Sequence, residues 1–492
     1  MPMFLLVVLN LLLHFTPPTE RTYYVSAGGN DASDGLTMPT AWRSIAKLNQ
    51  IDFQPGDHIR FEGGQTFQGH LQLTGADAGT PQRPIVIDSY GAGVATLLSH
   101  DTSAISVLNA GGIVVRRLTL TGHDRTKNRG YGLQFVNRLP KADKRRYVRI
   151  DSVTASAFGH DGIFIGGDPA DRSQSGYDDV QVRYCEVFDN QYHGLFVKGV
   201  WDTHAVGYAN RNLRIAHCSA HDNTGDPLYL ANHSGSGMEI DDVEDAVIEY
   251  CEAYNNGYLC NARVGGPCGI WLHAANRAVI QHCTAINNRT GRGLDGAGFD
   301  LDGGTTNCVI QYCYARDNDG AGILIWNYAD APHTLENNVL RFNILENNGR
   351  RNDYADIHIG SGGTPVRHIR VHNNTIATSR QPGTKAAAFR LTYGPNDDIR
   401  VENNVIITNG CADTLVMPQN RRVVFAHNWL GKTSDRKPYV WPLFTQQTPA
   451  LGAFAAIRGY RPVKPWPPQR RQALTDFAGQ PAPVGLIGAL AR

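Results

Sequence analysis

Short runs of β-branched and aromatic residues recur along most of the chain, and each run is followed by Asn, Asp or Gly. Ten such segments, from VRIDSV at 148–153 to VVFAHNWL at 423–430, align with one another, most of them 30–33 residues apart. Branched and aromatic residues favour strands, whereas Gly and Asn tolerate the left-handed backbone of a turn. Three short strands and three turns in each unit predict one coil of a parallel β-helix, because a helical repeat needs helix-forming residues instead.

Two columns of the alignment repeat the same residue type. The first column is Ser152, Cys185, Cys218, Cys251, Cys283, Cys313, Asn343, Asn373, Asn403 and Asn428, and the second is Asn190, Asn223, Asn256, Asn288, Asn318 and Asn348. Adjacent coils lie ~4.8 Å apart, so each residue should stack on its counterpart. We expect the Asn side chains to form a hydrogen-bonded ladder and the Cys side chains to pack inside the coil as free thiols.

A strand of the form G-h-x-h-x, where h is apolar, follows one turn of each repeat. Side chains alternate across a strand, so the h positions should point inward and the x positions outward. This predicts a first outer column of Phe164, Phe196, Glu239, Trp271, Asp300, Leu324, His358 and Arg390. It also predicts a second outer column of Gly166, Lys198, Asp241, His273, Asp302, Trp326, Gly360 and Thr392.

The two outer columns concentrate acidic, basic and aromatic side chains on one face of consecutive coils. Aromatic rings for sugar faces and carboxyl groups for hydroxyls and proton transfer are typical of carbohydrate sites. The candidate catalytic residues are Asp300, Asp302, Asp241, Glu239 and His273. The candidate substrate-binding residues are Trp271, Trp326, Lys198, His358 and Arg390.

The spacing of the candidate acids bears on the reaction they support. Asp300 and Asp302 should have Cα atoms roughly 6.5–7 Å apart on one strand, and acids two coils apart should be separated by roughly 9–10 Å. Carboxyl groups about 6.5–9.5 Å apart suit an inverting glycosidase, in which one acts as acid and the other activates water. Crowded acids should also raise at least one pKa, which favours a general acid.

Composition and charge exclude several classes of protein. The chain of 492 residues has 46 Lys and Arg against 45 Asp and Glu, so its formal net charge is +1. A nucleic-acid binder or a polybasic membrane-surface protein needs a charge excess that is missing here. With 41% hydrophobic residues, the chain is not expected to be mainly disordered.

The ends of the chain differ from the repeat. The apolar run FLLVVLNLLLHF predicts a signal peptide over 1–19 and hence a secreted or periplasmic protein with no stable membrane span. Residues 20–110 are predicted to form an N-terminal cap with a short helix at about 41–50 and the first coils, and residues 111–430 the main β-helix. The Pro- and aromatic-rich residues 431–492 are predicted to cover its open end.

The repeat, the entry segment YYVSAGGNDASDGL and the motif PGDHIRF together resemble the secreted right-handed parallel β-helix proteins of the pectate-lyase-like superfamily. The resemblance spans nearly the whole chain and implies an all-β, single-stranded right-handed parallel β-helix. Members of that superfamily include hydrolases, lyases, epimerases and adhesins, so the fold does not fix the reaction. The polygalacturonase motifs N-T-D and R-I-K are not evident, and that subfamily's catalytic assignments do not carry over.

Three functions follow as alternatives, each with a polysaccharide or oligosaccharide as partner. The favoured one is a glycoside hydrolase without a cofactor. A polysaccharide lyase or uronan epimerase would instead use Asp241, Asp300 and Asp302 as Ca²⁺ ligands, with Lys198 or His273 as the base. The third alternative is a glycan-binding β-helix without catalysis.

Cys260 and Cys268 flank a Gly-rich loop, either as free thiols or as a disulfide.

Overall fold

The structure, a computed structural model, describes residues 20–432 apart from positions 395 and 418. The predicted signal peptide at 1–19 and nearly all of the predicted C-terminal cap, 433–492, lie outside the described residues. The rest is a right-handed parallel β-solenoid of about 11 turns with very little helix, which confirms the predicted fold class. No helix in the described part of the chain has the length and apolarity needed to cross a membrane.

The strands pair in parallel along three sides of the solenoid. The first side consists of β1 (Thr22–Val25), β2 (His58–Glu62), β5 (Ile85–Tyr90), β8 (Ile113–Gly122), β10 (Lys144–Ser156), β12 (Gly176–Arg183), β15 (Asn210–Ala216), β17 (Met238–Glu249), β20 (Val279–Gln281), β23 (Val309–Gln311), β26 (Val339–Arg341), β29 (Arg367–His372), β32 (Asp397–Glu402) and β35 (Arg421–Ala426).

The second side is joined by the C-terminal parts of β8 and β10. Its other strands are β3 (Thr66–Gln68), β6 (Ala95–Ser99), β13 (Glu186–Phe188), β16 (Ser219–His221), β18 (Glu252–Tyr254), β21 (Thr284–Ile286), β24 (Tyr314–Arg316), β27 (Ile344–Glu346), β30 (Thr375–Ser379), β33 (Val405–Asn409) and β36 (Trp429–Lys432).

The third side carries both outer columns and includes the N-terminal part of β17. Its other strands are β4 (Leu71–Leu73), β7 (Ile105–Leu108), β9 (Leu133–Asn137), β11 (Ile163–Gly167), β14 (Leu195–Lys198), β19 (Cys268–Asn276), β22 (Ala297–Leu301), β25 (Ile323–Asn327), β28 (Ala355–Ser361), β31 (Ala387–Thr392) and β34 (Ala412–Val416).

The N-terminal end of the solenoid is closed by a helix shorter than the predicted one. A 3₁₀ turn spans Met38–Thr40, and helix α1 spans only Ile45–Leu48. Ser44 caps α1, because its hydroxyl accepts a hydrogen bond from the Lys47 amide at 3.2 Å. Ile45 and Leu48 are fully buried against the first coils.

The predicted Asn ladder is present in full. Each amide Nδ2 from Asn190 onward donates to the Oδ1 of the Asn one coil further on, at 2.7–3.0 Å, and Asn348 donates to Asp356 at 2.7 Å. The same Nδ2 also donates to a backbone carbonyl of the preceding coil, as from Asn288 to Ala253 at 3.1 Å. The ladder therefore satisfies buried polar groups while it connects successive coils.

The first predicted column is displaced by one residue at Ser152, Asn373 and Asn403, whereas Asn428 lies where it was predicted. Ser152, Asn373 and Asn403 adopt left-handed backbone angles at a bend and do not belong to the inward stack. Thr154 pairs with Glu186, so Val153 rather than Ser152 stacks on Cys185. Further along, Asn343, Asn374, Asn404 and Asn428 form a second Asn ladder with hydrogen bonds of 2.9–3.0 Å. Two adjacent Asn residues occur at 373–374 and at 403–404, and the repeat spacing fits either one of each pair. The backbone bend places the second Asn inside the solenoid.

The cysteines of the column are buried thiols, as predicted for Cys185, Cys218, Cys251, Cys283 and Cys313. Cys260 and Cys268 are also both free and buried, so they do not form the disulfide that the sequence left open.

Candidate active site

The first outer column is stacked in the predicted register. Phe164, Phe196, Glu239, Trp271, Asp300, Leu324, His358 and Arg390 pair one with the next in adjacent strands of the third side. The residues between them, such as Phe299 and Leu301, are fully buried in the solenoid interior. The alternation of GFDLD therefore directs Asp300 and Asp302 away from the core, which is the condition on which a site here depends.

The second outer column follows the same rule, with Asp241 opposite His273. The carboxyl groups of Glu239, Asp241, Asp300 and Asp302 and the imidazole of His273 form what we call the carboxylate pocket. This pocket is less open than the predicted groove, since Glu239, Asp241, Asp300 and His273 are buried and Asp302 is half-buried. Side chains from the long loops between strands cover the pocket. These loops are not part of the repeat pattern.

His273 is the most highly connected residue of the pocket. Its Nδ1 donates to Asp241 Oδ1 at 2.6 Å, and its Nε2 is hydrogen-bonded to the Tyr328 hydroxyl. The Trp201 ring stacks on the imidazole with centroids 5.0 Å apart and planes 8° apart. Burial by itself lowers the pKa of His273, but Asp241 together with Asp302 and Asp242 outweighs burial and raises that pKa above its ordinary value.

Asp300 and Asp302 each have a buried carboxyl oxygen, Oδ1, without a hydrogen-bond partner among the described residues. Burial and the neighbouring Asp302 hold the pKa of Asp300 well above its usual range. Burial raises the pKa of Asp302 to about 7, although the nearby His273 acts to lower it. Buried polar atoms are rarely left without partners, so these oxygens point to a ligand or a proton-transfer role.

Glu239 lies between two histidines. Its Oε2 is 3.4 Å from His193 Nε2 and 3.8 Å from His233 Nδ1, and this is the one group of three with metal-ligand geometry in the described part of the chain. The Ser236 amide, however, donates to His193 Nδ1 at 3.1 Å. Because His193 Nδ1 accepts this hydrogen bond, Nε2 carries the proton of the neutral ring, whereas a His that binds a metal through Nε2 needs its proton on Nδ1. The group therefore fits a carboxyl–histidine contact better than a metal centre.

The calcium ligand set proposed for a lyase does not converge. No oxygen of Asp241, Asp300 and Asp302 forms a common group within 4.8 Å in the described part of the chain. Ca²⁺ takes six to eight oxygen ligands at about 2.3–2.6 Å, so these three residues do not fit that ion.

Sequence reasoning missed several residues around the pocket. The Tyr354 hydroxyl is hydrogen-bonded to Asp295, whose charge acts to raise the pKa of both Asp300 and Asp302. Cys268 Sγ is 3.8 Å from Asp300 Oδ2. Asp295 stands in the Gly-dense segment GLDGAGFDLDGG, which did signal an unusual backbone, whereas Trp201 and Tyr328 lie in loops without a repeat signal.

The predicted substrate-binding residues differ in how accessible they are. Trp271 is only 4% exposed and its indole Nε1 donates to Ser236 Oγ at 3.1 Å, so its ring offers no face to a sugar. His358 is likewise buried, with Nε2 bonded to Thr392 Oγ1 at 2.7 Å. Trp271 and His358 are thus corrected to supporting residues, because loops cover this part of the column.

Three of the predicted binding residues do reach the surface. Lys198 is exposed and lies over the Phe196 ring at 5.7 Å, whereas Trp326 and Arg390 are half-buried. Trp201, which is 43% exposed, offers an accessible ring closer to His273 than either predicted Trp.

Comparison with known proteins supports the fold. Residues 103–340 match the family model described as a right-handed β-helix region. This match covers just under half of the chain, and the right-handed parallel β-helix is shown by the structure itself.

Two similar proteins carry the same name. A lacto-N-biosidase from Bifidobacterium longum subsp. longum is 24% identical over 486 residues, which cover 80% of this chain but only 29% of that protein. The crystal structure of a GH136 lacto-N-biosidase from Eubacterium ramulus aligns with a TM-score of 0.58 at 17% identity, over 84% of this chain and 68% of that one. A crystal structure of the pectate lyase Pel9A aligns with a TM-score of 0.45 at 14% identity, over 96% and 90% of the two chains.

Proposed function

We propose that this protein is a glycoside hydrolase that cleaves an oligosaccharide in the carboxylate pocket. The observation that carries the proposal is the buried, unpartnered oxygens of Glu239, Asp300 and Asp302 in one cluster on the outer face of consecutive coils. Hydrolysis of a glycosidic bond needs one carboxyl group that holds a proton at neutral pH and a second that is ionised.

Asp302 suits the role of general acid. It is the most accessible of the four pocket acids, and its pKa of about 7 keeps a large fraction protonated near neutrality. Asp241 suits the ionised partner, because it accepts the hydrogen bond of His273 and faces an imidazole whose pKa is raised. Glu239 suits that role less, because burial and the neighbouring Asp241 raise its pKa well above the usual range; it is instead a second candidate for the general acid.

The relatives suggest where to begin with substrates. One protein named lacto-N-biosidase is similar to this chain in sequence and another in fold, so we propose an oligosaccharide that contains lacto-N-biose as the first substrate class. An extracellular or periplasmic location would suit such a substrate, and we keep secretion as part of the proposal.

The test is a panel of oligosaccharides and polysaccharides incubated with the wild type and with Asp302→Asn. We expect reducing sugar to appear with the wild type in the presence of a chelator, and the variant to lose about 10²–10⁴-fold in kcat, as expected for loss of a general acid. Turnover that disappears with chelator and yields an ultraviolet-absorbing product would identify a lyase instead. Binding of glycans by both proteins without turnover by either would identify a glycan-binding protein.

A further inference from the structure

A second cleft lies at the turns that precede strands β11 and β14 of the third side, toward the N-terminus from the carboxylate pocket. It encloses about 540 Å³, and its lining includes Lys127, Arg129, His160, Gln191, Tyr192 and Asp226. We call it the aromatic cleft. None of these six residues belongs to the carboxylate pocket, and none is required by the proposed chemistry.

Rings dominate one wall of the aromatic cleft. The imidazole of His160 stacks on Tyr192 with centroids 4.6 Å apart and planes 17° apart, and Tyr229 packs against Tyr192 at 5.5 Å. Tyr131 packs on the other side of His160 with centroids 4.2 Å apart, so the half-buried Tyr192 is the ring that the cleft offers to a ligand. Accessible aromatic surface beside polar groups is the usual composition of a sugar subsite.

The floor of the cleft is rigid. The Asn128 side chain is buried and its Nδ2 donates to the His100 and Thr102 carbonyls at 2.9 and 3.0 Å. Gly159 packs so closely that an added Cβ would lie 1.7 Å from the Asn128 carbonyl oxygen. A preformed floor lowers the entropy that ligand binding must overcome.

The charges of the cleft nearly cancel. Lys127 is ion-paired with Asp124 at 3.1 Å, which leaves Arg129 as a donor and Asp226 as an acceptor. A uronate or sulfated sugar would meet Asp226 without a compensating excess of positive charge. The hydroxyl groups of a neutral sugar can instead accept from Arg129 and donate to Asp226.

The two sites are connected through adjacent residues. Tyr192 contacts the His193 ring at 6.2 Å, and His193 faces Glu239 at 3.4 Å. The coil that carries His160 precedes that of Asp302 by four coils, or about 19 Å along the solenoid at ~4.8 Å per coil. His160 also lies six residues before Gly166, the position equivalent to Asp302 in its own coil. An oligosaccharide that occupies both sites must therefore cross the third side obliquely.

We propose that the aromatic cleft is a distal subsite that binds a neutral sugar unit of an oligosaccharide whose other end occupies the carboxylate pocket. The inference rests on the proposed function for the position of the bond that is cleaved, but binding at the cleft does not require cleavage. The subsite makes the protein selective for chain length.

The test measures binding and turnover separately. Neutral disaccharides and neutral oligosaccharides of four or more sugars, with lacto-N-biose and lacto-N-tetraose among them, are titrated calorimetrically into Asp302→Asn with and without Tyr192→Ala. We expect Tyr192→Ala to weaken binding of the longer ligand about tenfold relative to the disaccharide, the size of one lost ring contact. Tyr192→Phe should restore it, and Tyr184→Ala, an exposed ring outside the cleft, is the matched control.

Equal losses for both lengths, no loss for either, or no binding of any neutral oligosaccharide would overturn the subsite. Length-dependent binding without any hydrolysis by the wild type would keep the subsite and refute the proposed hydrolase. In an active wild type, the ratio of kcat/KM for lacto-N-tetraose to that for an aryl lacto-N-bioside should fall about tenfold in Tyr192→Ala.

Discussion

The imidazole of His273 donates a hydrogen bond of 2.6 Å to the carboxylate of Asp241, its direct neighbour on the preceding coil. The two residues are 32 positions apart in the chain and meet only because the coils stack. Trp201 and Tyr328 cover the pair, so its electrostatic attraction is little screened by water. His273 in turn acts to lower the pKa of Asp302, as does the Gly303 amide, and so it tunes the proposed general acid.

This arrangement predicts the pH dependence of His273→Gln. In the wild type, kcat/KM should fall as pH rises through about 7, because Asp302 loses its proton there. Loss of the imidazolium removes an influence that lowers the pKa of Asp302, so the alkaline limb should move to higher pH. The pH profile of kcat/KM measures this shift. The exposed His217 provides the control, since His217→Gln should leave the alkaline limb of kcat/KM unchanged. An alkaline limb at lower pH in His273→Gln would contradict the assignment of Asp302 as the general acid.

Trp201 should contribute to substrate binding and Trp271 should not do so directly. Trp201→Ala removes an exposed ring beside His273, and we expect KM to rise about tenfold with a smaller change in kcat. Trp201→Phe should retain most of the affinity. Trp271→Phe removes a buried hydrogen bond to Ser236, which should lower the free energy of unfolding by about 1 kcal/mol. Steady-state kinetics and urea unfolding of the three variants distinguish substrate binding from structural support. A larger rise in KM for Trp271→Phe than for Trp201→Ala would contradict these roles.

Asp242→Asn should stabilise the protein at neutral to alkaline pH. Burial, followed by the nearby Asp241, raises the pKa of Asp242 to about 8, well above its value in an unfolded chain. Between about pH 4 and pH 8 the unfolded state releases this proton and the folded state keeps it, so the wild type loses stability as pH rises. Asp242→Asn has no such titration. Its free energy of unfolding should therefore exceed that of the wild type by more than about 1 kcal/mol at pH 8.

The measurement is urea unfolding of wild type and Asp242→Asn at pH 5 and pH 8. Asp245→Asn is a matched control with the opposite sign, because Asp245 is exposed and its hydrogen bond with Arg277 lowers its pKa. An advantage of Asp242→Asn that does not change with pH would refute the linkage.

The Asn ladder should be a major source of stability. Asn288→Ala removes the hydrogen bonds that this side chain makes with Asn256 Nδ2, Asn318 Oδ1 and the Ala253 carbonyl inside the solenoid. We expect the free energy of unfolding to fall by about 2–4 kcal/mol, because three buried hydrogen bonds worth about 0.5–1.5 kcal/mol each are lost together. Asn49→Ala, at an exposed position with hydrogen bonds to His70 and Gln72, should cost less. Urea unfolding followed by circular dichroism compares the two, and equal losses would contradict this role of the ladder.

The repeat made the fold and the outer columns predictable. Strict alternation in segments such as GFDLD fixes which side chains leave the core, and the period fixes which of them stack. The register therefore followed from the spacing alone, down to the pairing of Glu239 with Trp271. Where two equivalent residues stood side by side, as in Asn373 and Asn374, the spacing left an ambiguity of one residue.

The amino-acid sequence by itself determined the solenoid, its ladders and the set of side chains on the third side, because these depend on a local period of alternation repeated many times. Only the tertiary structure decided which of them are accessible. Loops of irregular length bring Trp201 and Tyr328 over His273, bury Trp271 and place Asp295 near Asp300. The placement of these loops depends on contacts between residues that are distant in the chain, so a periodic sequence pattern does not predict it.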